Sequence, residues 1–474
     1  MPKADLLRIQ LDSTSRVALS EQIYRGIAEA IEQEVLTTGA RLPSWIDLAA
    51  QLGVARGTVR VAYEKLTAAQ LVVASRSTGT RVAPRPAAVR RRNDAADAGS
   101  FMEQYQEMTA GPAIFQMGIP SRASLPAKLL NRVRTRAVLA ETSGPPLYPD
   151  PRGEMELRRE IAGYLAVARG LACSASQIFI TGGYSAGLGL ALHVLRLEGR
   201  QAWMEDPGFP FTRHALRLAR LTLASIPVDE EGLDVHYALR RAPDASLVVV
   251  TPGQQAPLGP TMSLQRRLRL LDWAARSEAW IIEDDYLSEL QLQGRAAPAL
   301  ASLDRAGRVI HIGSFSKTIN PRLRLGFIVA PASMVPPFAE VAACLAPAPG
   351  PAAQLAMAEF MREGHYLRHL RRTKRLYLEQ QDTLLSCLRK QGIAAEPAAL
   401  AVLVGLPKGI SDLAISREAF AYGLAPSPLS LWHGGAHDAP SGLLLSVATA
   451  PKEHVVGACA KLGDVIKRFS QITL

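Results

Sequence analysis

The chain has 474 residues, of which 48% are hydrophobic and 20% charged, so it is not a disordered protein and has the length of about three compact units. Its 4 cysteines include no CxxC pair, no apolar run reaches the about 18 residues of a membrane span, and the N-terminus lacks the apolar core of a secretory signal, which together predict a cytoplasmic protein. The net charge is +11, and residues 1–92 hold 14 Lys and Arg against 8 Asp and Glu, which favours a polyanionic partner.

Residues 12–83 have the pattern of a small DNA-binding module. The spacing of Ile23, Ile27 and Ile31 predicts a first helix. The segment "IDLAAQLGVARGTVRVAYEKL" predicts two helices joined by a tight turn, a helix-turn-helix whose second helix enters the major groove. The segment "LVVASRSTGTRVAP" then predicts two short strands that form a wing.

These segments resemble the GntR-type winged helix, whose pattern "LPS", "DLAAQLGVARGTVRVAYEKL" and "GTRV" follow closely. The resemblance implies that Arg56, Thr58 and Arg60 contact phosphates and base edges. It also implies that Gly79 lets the wing tip approach the minor groove. Double-stranded DNA is therefore the expected partner.

The same region departs from the family at one place. Ile46 stands where the family usually has an arginine, and the bulky Trp45 lies beside it in sequence. One DNA contact is therefore lost or altered, and the sequence does not decide which. Residues 84–113 follow, rich in Pro, Ala and charge without a sustained period, which predicts a linker.

From about residue 145, apolar runs alternate with helical segments. The runs "SQIFITGG", "RQAWMED", "ASLVVVTPG", "EAWIIEDDY" and "RVIHIGSFSK" each lead into a turn rich in Gly, Pro or Asp. This alternation predicts an α/β main domain with a mostly parallel sheet. Ligands bind at the carboxyl ends of the strands in such sheets, which is where the unusual residues of this sequence gather.

One cluster surrounds Lys317, which follows the last of these runs. An amine held at the end of a core strand near a cation has a depressed pKa and suits a Schiff base. The hydroxyls of Ser314 and Ser316 and the guanidinium of Arg324 suit a phosphate monoester.

Three other segments complete the pattern. A carboxylate in "IIEDDY", residues 281–286, can keep a pyridinium nitrogen protonated. In "ITGGYSAG", residues 180–187, glycines precede a helix whose N-terminus can bind phosphate. In "EDPGFP", Phe209 can stack on a flat ring. Lysine, carboxylate, phosphate cup and aromatic lid together predict pyridoxal 5′-phosphate (PLP).

The span from about residue 115 to the C-terminus resembles the fold-type I aminotransferases, and the whole chain resembles the MocR/GabR-type transcriptional regulators. The resemblance implies that Lys317 forms the Schiff base with PLP. It implies that Asp284, rather than Asp285, pairs with the pyridine nitrogen and that Tyr286 bonds the ring hydroxyl.

The resemblance also assigns the remaining cofactor contacts. Phe209 is expected to stack on the ring, and Tyr148, in "YPDPRG", to reach the phosphate of the other subunit of a homodimer. The phosphate is expected to be held by hydroxyls, a guanidinium and the N-terminus of one helix: Ser314, Ser316, Arg324, Gly183, Tyr184 and Ser185. The expected organisation is a winged helix at 12–83, a linker at 84–113 and a PLP-binding domain at 114–474, with a large subdomain at about 145–330 and a small one at about 331–474 plus the N-terminal segment.

Leu444 bears on the choice between regulator and enzyme. In "SGLLLSVA" it stands where aminotransferases carry the arginine that grips the substrate carboxylate, which argues against efficient transamination. We therefore expect a DNA-binding regulator that senses an amine, an amino acid or PLP itself, without physiological turnover. An active aminotransferase with an appended DNA-binding domain, and a cofactor-free scaffold, stay open as alternatives. No metal site is expected, because His365 and His369 lack a third ligand and their spacing predicts a solvated helix face.

Overall fold

The computed structural model describes residues 11–12, 15, 17–32, 35–69, 71–75, 79–83, 101–102, 105–106, 109, 111, 113–287, 290–434 and 440–472. The chain divides into two units, residues 1–102 and 103–474. Residues 84–100 of the predicted linker lie outside the described residues.

The first unit is a winged helix, as predicted. The isoleucines at helical spacing are buried together in its core, Ile23 and Ile27 at 0% exposure. The turn between its second and third helices is made at Gly53, whose φ of 66° favours glycine. Its elements are α1 (Leu19–Glu32), α2 (Trp45–Leu52), α3 (Arg56–Ala68) and the antiparallel pair β1 (Val72–Ser75) and β2 (Gly79–Val82).

The second unit is built on an eight-stranded sheet. Its strands are β3 (Ile178–Thr181), β4 (Gln201–Asp206), β5 (Thr222–Asp229), β6 (Gly232–Leu233), β7 (Leu247–Val250), β8 (Trp280–Asp285), β9 (Val309–Ser314) and β10 (Gly326–Val329). Their order is β3-β10-β9-β8-β7-β4-β5-β6. The five strands from β9 to β5 are mutually parallel, and β10 is antiparallel to both of its neighbours, so the predicted mostly parallel sheet is confirmed.

Helices cover both faces of this sheet, because successive side chains of a strand point to opposite sides. On β8, Ile282 packs into a cluster with Leu188 and Phe338, whereas Ile281 packs into another with Trp203 and Trp273. The helices of this part of the chain are α4 (Ala127–Ser143), α5 (Met155–Arg169), α6 (Tyr184–Leu195), α7 (Pro210–Leu218), α8 (Val235–Arg241), α9 (Leu264–Arg276) and α10 (Val335–Cys344).

A smaller antiparallel sheet forms the C-terminal part of the second unit. Its strands are β11 (Glu396–Ala398), β12 (Ala401–Gly405), β13 (Ser427–Pro428) and β14 (Gly442–Ser446), in the order β11-β12-β14-β13. The accompanying helices are α11 (Pro351–Arg362), α12 (His365–Lys390), α13 (Asp412–Phe420) and α14 (Lys452–Ile472). The segment near residue 115 joins this layer, since Phe115 O accepts from Ser446 N at 3.0 Å. Of the helices in the described part of the chain, none combines the length and apolarity that crossing a bilayer requires.

Candidate functional site

A cavity of about 890 Å³ lies within the second unit. It opens where β8 and β9 end, and residues of the smaller sheet line its other side. The side chains that sequence analysis assigned to a cofactor and that line this cavity are Lys317, Asp284, Tyr286, Phe209, Ser314, Ser316, Arg324, Tyr184 and Ser185.

Lys317 follows β9 by three residues and projects into the cavity. Its Nζ donates a hydrogen bond to Gly118 O at 3.1 Å. Burial disfavours the charged amine and lowers the pKa of Lys317 to about 8, although the nearby Asp284 acts in the opposite direction. The amine is therefore partly neutral near physiological pH, as a nucleophile requires.

The neighbours Asp284 and Asp285 lie on opposite faces of β8. Asp285 turns away from the cavity and accepts a hydrogen bond from Nε of the buried Arg169 at 2.8 Å. Asp284 lines the cavity, and its Oδ1 has no hydrogen-bond partner among the described residues. Burial raises the pKa of Asp284 well above its usual range, and the negative charges of Asp285 and Glu205 add to this effect. A buried carboxylate oxygen without a donor calls for a ligand N–H.

An anion-binding cup is formed where β3 leads into α6. Gly183, at a φ of 99°, begins this helix, and a Cβ there would lie 3.9 Å from Ser316 Oγ and 4.0 Å from Arg324 Nη1. A Cβ on Gly326 would come within 2.9 Å of the Cα of Gly183, so β10 carries glycine at this close approach. Hydroxyl, guanidinium and free helix N–H groups thus converge on one point, as a phosphate dianion requires.

Three aromatic residues complete this side of the cavity. Phe209 stands directly before α7 and contacts Trp432, with ring centroids 5.7 Å apart. The hydroxyl of Tyr184 lies 2.9 Å from Oγ1 of Thr212. Burial and the charge of Asp284 raise the pKa of Tyr184 and of Tyr286 well above the usual range, so both phenols are neutral and able to donate hydrogen bonds.

Other sequence-based expectations fall elsewhere. Tyr148 is fully exposed and does not line the cavity of its own chain. Leu444 is buried on β14 in an apolar cluster with Trp432 and the partly buried Phe209. The prediction of a solvated face for His369 was wrong: this residue is buried, and its Nε2 lies 2.6 Å from Thr318 O.

The structure adds site residues that sequence analysis did not name. Gly118 contributes the carbonyl that receives Lys317 and, at a φ of 83°, has no room for a side chain, since a Cβ would lie 2.6 Å from Nζ. In the sequence, the glycine and the nearby proline of "MGIP" indicate a turn, which was the only local signal for this position. Tyr105 and Thr109, which fall within the predicted linker, also line the cavity.

The predicted DNA contacts lie on one helix and on the wing. Arg56 opens α3, which has no side-chain N-cap, so its first N–H groups are available to a phosphate. Thr58 follows in the first turn. Arg60 is 65% exposed and pairs with Glu64, whose Oε1 lies 3.5 Å from its Nε. Surface pairs of this kind are weak, so the guanidinium can exchange partners at little cost.

At the wing, Gly79 has a φ of 80°, and a Cβ there would lie 3.1 Å from Nε of Arg41. Arg41 was not singled out in the sequence, because it lies 38 residues earlier in a loop and only the fold brings it to the wing. Trp45 and Ile46 are 40% and 43% exposed at the start of α2. The departure from the family pattern therefore places apolar surface on this unit.

Comparisons with known proteins agree with both units. Residues 19–82 match the family model "Bacterial regulatory proteins, gntR family", and residues 122–454 match "Aminotransferase class I and II". The "Probable rhizopine catabolism regulatory protein MocR" of Rhizobium meliloti is 34% identical over 440 residues, or 89% of this chain and 88% of that protein. The "HTH-type pyridoxine biosynthesis transcriptional regulator PdxR" of Corynebacterium glutamicum is 29% identical, with 97% of this chain and 98% of that protein covered.

Solved structures extend the likeness of the second unit. The α-aminoadipate aminotransferase LysN of Thermus thermophilus, solved with N-(5′-phosphopyridoxyl)-L-leucine, superposes with a TM-score of 0.69 at 25% identity. The match covers 79% of this chain and 96% of that one.

Proposed function

Because this chain belongs to the MocR-type transcriptional regulators, we propose that its aminotransferase-like domain binds PLP and senses an amine, an amino acid or PLP itself. The response would be a change in how the winged helix binds operator DNA in the cytoplasm. One observation carries this proposal: the amine of Lys317 and the unpartnered Oδ1 of Asp284 line one cavity, in a chain whose other unit is a DNA-binding fold.

The residues around the cavity fit PLP at each of its functional groups. The cup between Gly183, Ser316 and Arg324 suits the phosphate, and Oδ1 of Asp284 suits a protonated ring nitrogen. The neutral phenol of Tyr286 suits the ring oxygen. When bound, PLP supplies an aldehyde with which a primary amine condenses.

Sensing without turnover is the part of the proposal that rests on Leu444. This residue lies in an apolar cluster and offers no fork of donors for a carboxylate. A ligand carboxylate is therefore not fixed at this position in the orientation that bond cleavage requires, and the guanidinium groups that line the cavity outside the proposed cofactor contacts are those of Arg322 and Arg417. An amine that competes with Lys317 would instead change which interactions hold the two sheets around the cavity, and such differential affinity is what shifts a protein between two states.

Two further features support DNA binding and dimer formation. Arg56, Thr58, Arg60 and Gly79 are proposed to contact the duplex, with the uncapped start of α3 directed at a phosphate. The exposed Tyr148 is proposed to reach the phosphate of a partner subunit. It is preceded by Leu147, which is 77% exposed.

The proposal is tested by the binding of purified full-length protein to fragments of its own upstream region, with and without PLP. We expect retardation of one fragment at low salt and a steep loss of affinity as salt rises, because phosphate contacts release counterions. Arg56→Ala should weaken binding and reduce the log–log salt slope by about 1, whereas Arg468→Ala, in the other unit, should not. Failure to bind any such fragment would contradict the proposal that this protein is a DNA-binding regulator.

A single-turnover experiment distinguishes the proposed regulator from the alternative, an active aminotransferase. Protein loaded with PLP is mixed with an amino acid, and conversion of the cofactor to its amine form is followed by absorption. Conversion and regeneration by an oxo acid at about 1 s⁻¹ or faster would favour an aminotransferase, because typical enzymes turn over in that range.

A further inference from the structure

The cavity is larger and more varied than the cofactor contacts require. Among the described residues, the charged side chains that line it are Lys317, Asp284, Arg322, Arg324 and Arg417. Three of these belong to the proposed cofactor contacts. The remainder of the lining is dominated by aromatic and aliphatic side chains, which do not serve a phosphate or a ring nitrogen.

Four aromatic rings, one of which is the Phe209 that is expected to stack on the cofactor, form a continuous wall along the cavity. The ring centroids of Tyr105 and Phe211 are 5.2 Å apart, those of Phe211 and Phe209 are 5.1 Å apart, and those of Phe209 and Trp432 are 5.7 Å apart. All four residues line the cavity. We call this row of four rings the aromatic wall. Its spacings are those of favourable edge-to-face and tilted contacts.

The aromatic wall is held from both ends. At one end, Thr109 Oγ1 donates to Tyr105 O at 2.7 Å. At the other end, Trp432 O accepts from Gly208 N at 2.9 Å and from Arg213 Nη2 at 2.6 Å. These bonds hold the backbone at both ends of the aromatic wall, and a binding site whose backbone is held before a ligand binds loses less entropy on binding.

Much of the surface around the aromatic wall is apolar. Side chains that line the cavity from α13 and the residues after it include the apolar Leu413, Phe420, Pro428 and Leu431, beside the polar Ser416, Arg417 and Ser427. Behind Trp432 lies the buried Leu444. A polar group of a ligand placed against the four rings themselves would lose its hydration without a matching partner, whereas an aromatic ring would gain contacts with them.

We propose that the aromatic wall binds the aromatic substituent of a primary amine whose nitrogen is directed towards Lys317. This inference rests on the proposed function, which it deepens by naming the chemical class of the effector. It also makes Tyr105 a specificity-determining residue. Because Tyr105 follows β2 by 23 residues, the stretch that leads out of the winged helix contributes directly to the ligand site.

The test compares two primary amines, of which only one carries an aromatic ring. PLP-loaded full-length protein is titrated with 2-phenylethylamine and with ethylamine, and binding is followed by the visible absorption of the cofactor and by calorimetry. We expect 2-phenylethylamine to bind at a concentration lower by about tenfold or more, because a buried aromatic ring contributes more than one factor of ten. Equal affinities, or tighter binding of ethylamine, would overturn the inference.

The role of the aromatic wall is tested with two tyrosines of similar exposure. Tyr105 is 42% exposed and Tyr422, which does not line this cavity, is 43% exposed. Tyr105→Ala should weaken the binding of 2-phenylethylamine by about three- to tenfold, since a ring–ring contact is lost. The affinity for ethylamine should stay unchanged. Tyr422→Ala should change neither, and an equal effect of both substitutions would contradict the role of Tyr105.

The outcomes separate this inference from the proposal beneath it. Wild-type protein that forms no visible band with PLP contradicts the cofactor site, whereas a band with no preference between the two amines contradicts only the aromatic subsite. Calorimetry measures the preference for 2-phenylethylamine in either case.

Discussion

The protonation of Lys317 determines when the site can capture its cofactor. Burial lowers the pKa of this amine to about 8, whereas an ordinary lysine titrates near about 10.4. Because the neutral amine is the nucleophile, the rate of band formation between cofactor-free protein and PLP should rise with pH and reach half its maximum near pH 8. Stopped-flow absorption from pH 6 to 11 measures this profile.

Two variants serve as controls for that profile. Lys317→Ala should form no band at any pH, and Lys467→Ala, which removes an exposed lysine of α14, should behave as wild type. A half-maximum near about 10.4 in the wild type would show that the amine is not desolvated.

Replacement of either of two adjacent aspartates on β8 by asparagine should change the melting temperature in opposite directions. The pKa of Asp284 is raised, so the folded protein holds this proton more tightly than the unfolded chain, and its charge disfavours folding once the pH exceeds the unfolded value of about 3.9. Asp284→Asn should therefore raise the melting temperature of the cofactor-free protein at pH 7 while weakening PLP binding by about tenfold or more.

Asp285→Asn should destabilise instead. It removes the carboxylate that neutralises the buried guanidinium of Arg169, and loss of one partner of a buried pair costs about 3–5 kcal/mol. Thermal unfolding of both variants in the same buffer provides the comparison. Equal shifts in the two melting temperatures would contradict the assignment of Asp284 to the cavity and Asp285 to the interior.

At the scale of elements, sequence patterns predicted what is local and missed what depends on distant partners. The strands β3, β4, β7, β8 and β9 were predicted because each is a short apolar run bounded by turn residues. The antiparallel β10 was not predicted, because four residues directly after a site loop carry too little periodicity. The smaller sheet was also missed, since β13 has only two residues and its pairing with β14 is a tertiary event.

The candidate site divides in the same way. Lys317 and Asp284 could be predicted, because each follows or ends a recognisable strand at the edge where ligands bind. The hydrogen bond from Lys317 to Gly118 joins positions 199 residues apart, and no local pattern indicates it. The contact of Tyr105 with Phe211 was likewise hidden by the linker-like composition around Tyr105.

One contact between elements joins the end of β4 to the residues that follow Trp432. Asp206, at the end of β4, has its Oδ1 2.9 Å from Nδ1 of His433 and also accepts from Gly434 N at 3.2 Å. Burial alone would raise the pKa of Asp206, but the hydrogen bonds from His433 and Gly434 lower it overall. The stabilisation by this carboxylate is therefore fully present above the unfolded value of about 3.9 and is lost as the pH falls through the lower folded value.

Asp206→Ala should release the loop that carries Trp432. The affinity for 2-phenylethylamine should then fall by about threefold or more, because an ordered part of the aromatic wall is lost. Hydrogen exchange of residues 429–434 should become faster, which a merely local loss of charge would not cause. The control is Asp229→Ala, which removes a surface pair with Arg266 near the end of β5. Unchanged exchange in Asp206→Ala would contradict the role of this contact.

At the scale of the whole molecule, the proposed function couples the binding of an effector to the binding of DNA in a proposed dimer. If an amine alters DNA affinity, DNA must alter amine affinity by the same factor, because binding free energies are reciprocal. This reciprocity needs no knowledge of how the two units are arranged. It requires that each cavity be complete, and we propose that the exposed Tyr148 completes the cavity of a partner subunit.

Tyr148 can be assigned to the partner's cavity by mixing two defective proteins. Tyr148→Ala should weaken the binding of PLP by about ten- to a hundredfold, since a hydrogen bond to a charged phosphate is lost. Lys317→Ala should form no visible absorption band with PLP. In a mixed dimer, one cavity combines the intact Lys317 of one subunit with the intact Tyr148 of the other. Co-expression of differently tagged subunits and tandem purification isolates this species, and titration with limiting PLP counts its tight sites.

We expect one wild-type site per mixed dimer, because two defects on different chains meet in only one of two composite cavities. If Tyr148 acted within its own chain, both cavities of the mixed dimer would be defective and no tight site would appear. Tight binding by the Tyr148→Ala homodimer itself would mean that this tyrosine does not contact the phosphate. A monomeric protein at micromolar concentration would contradict the composite site altogether, because the partner's side chain would then be absent from the cavity.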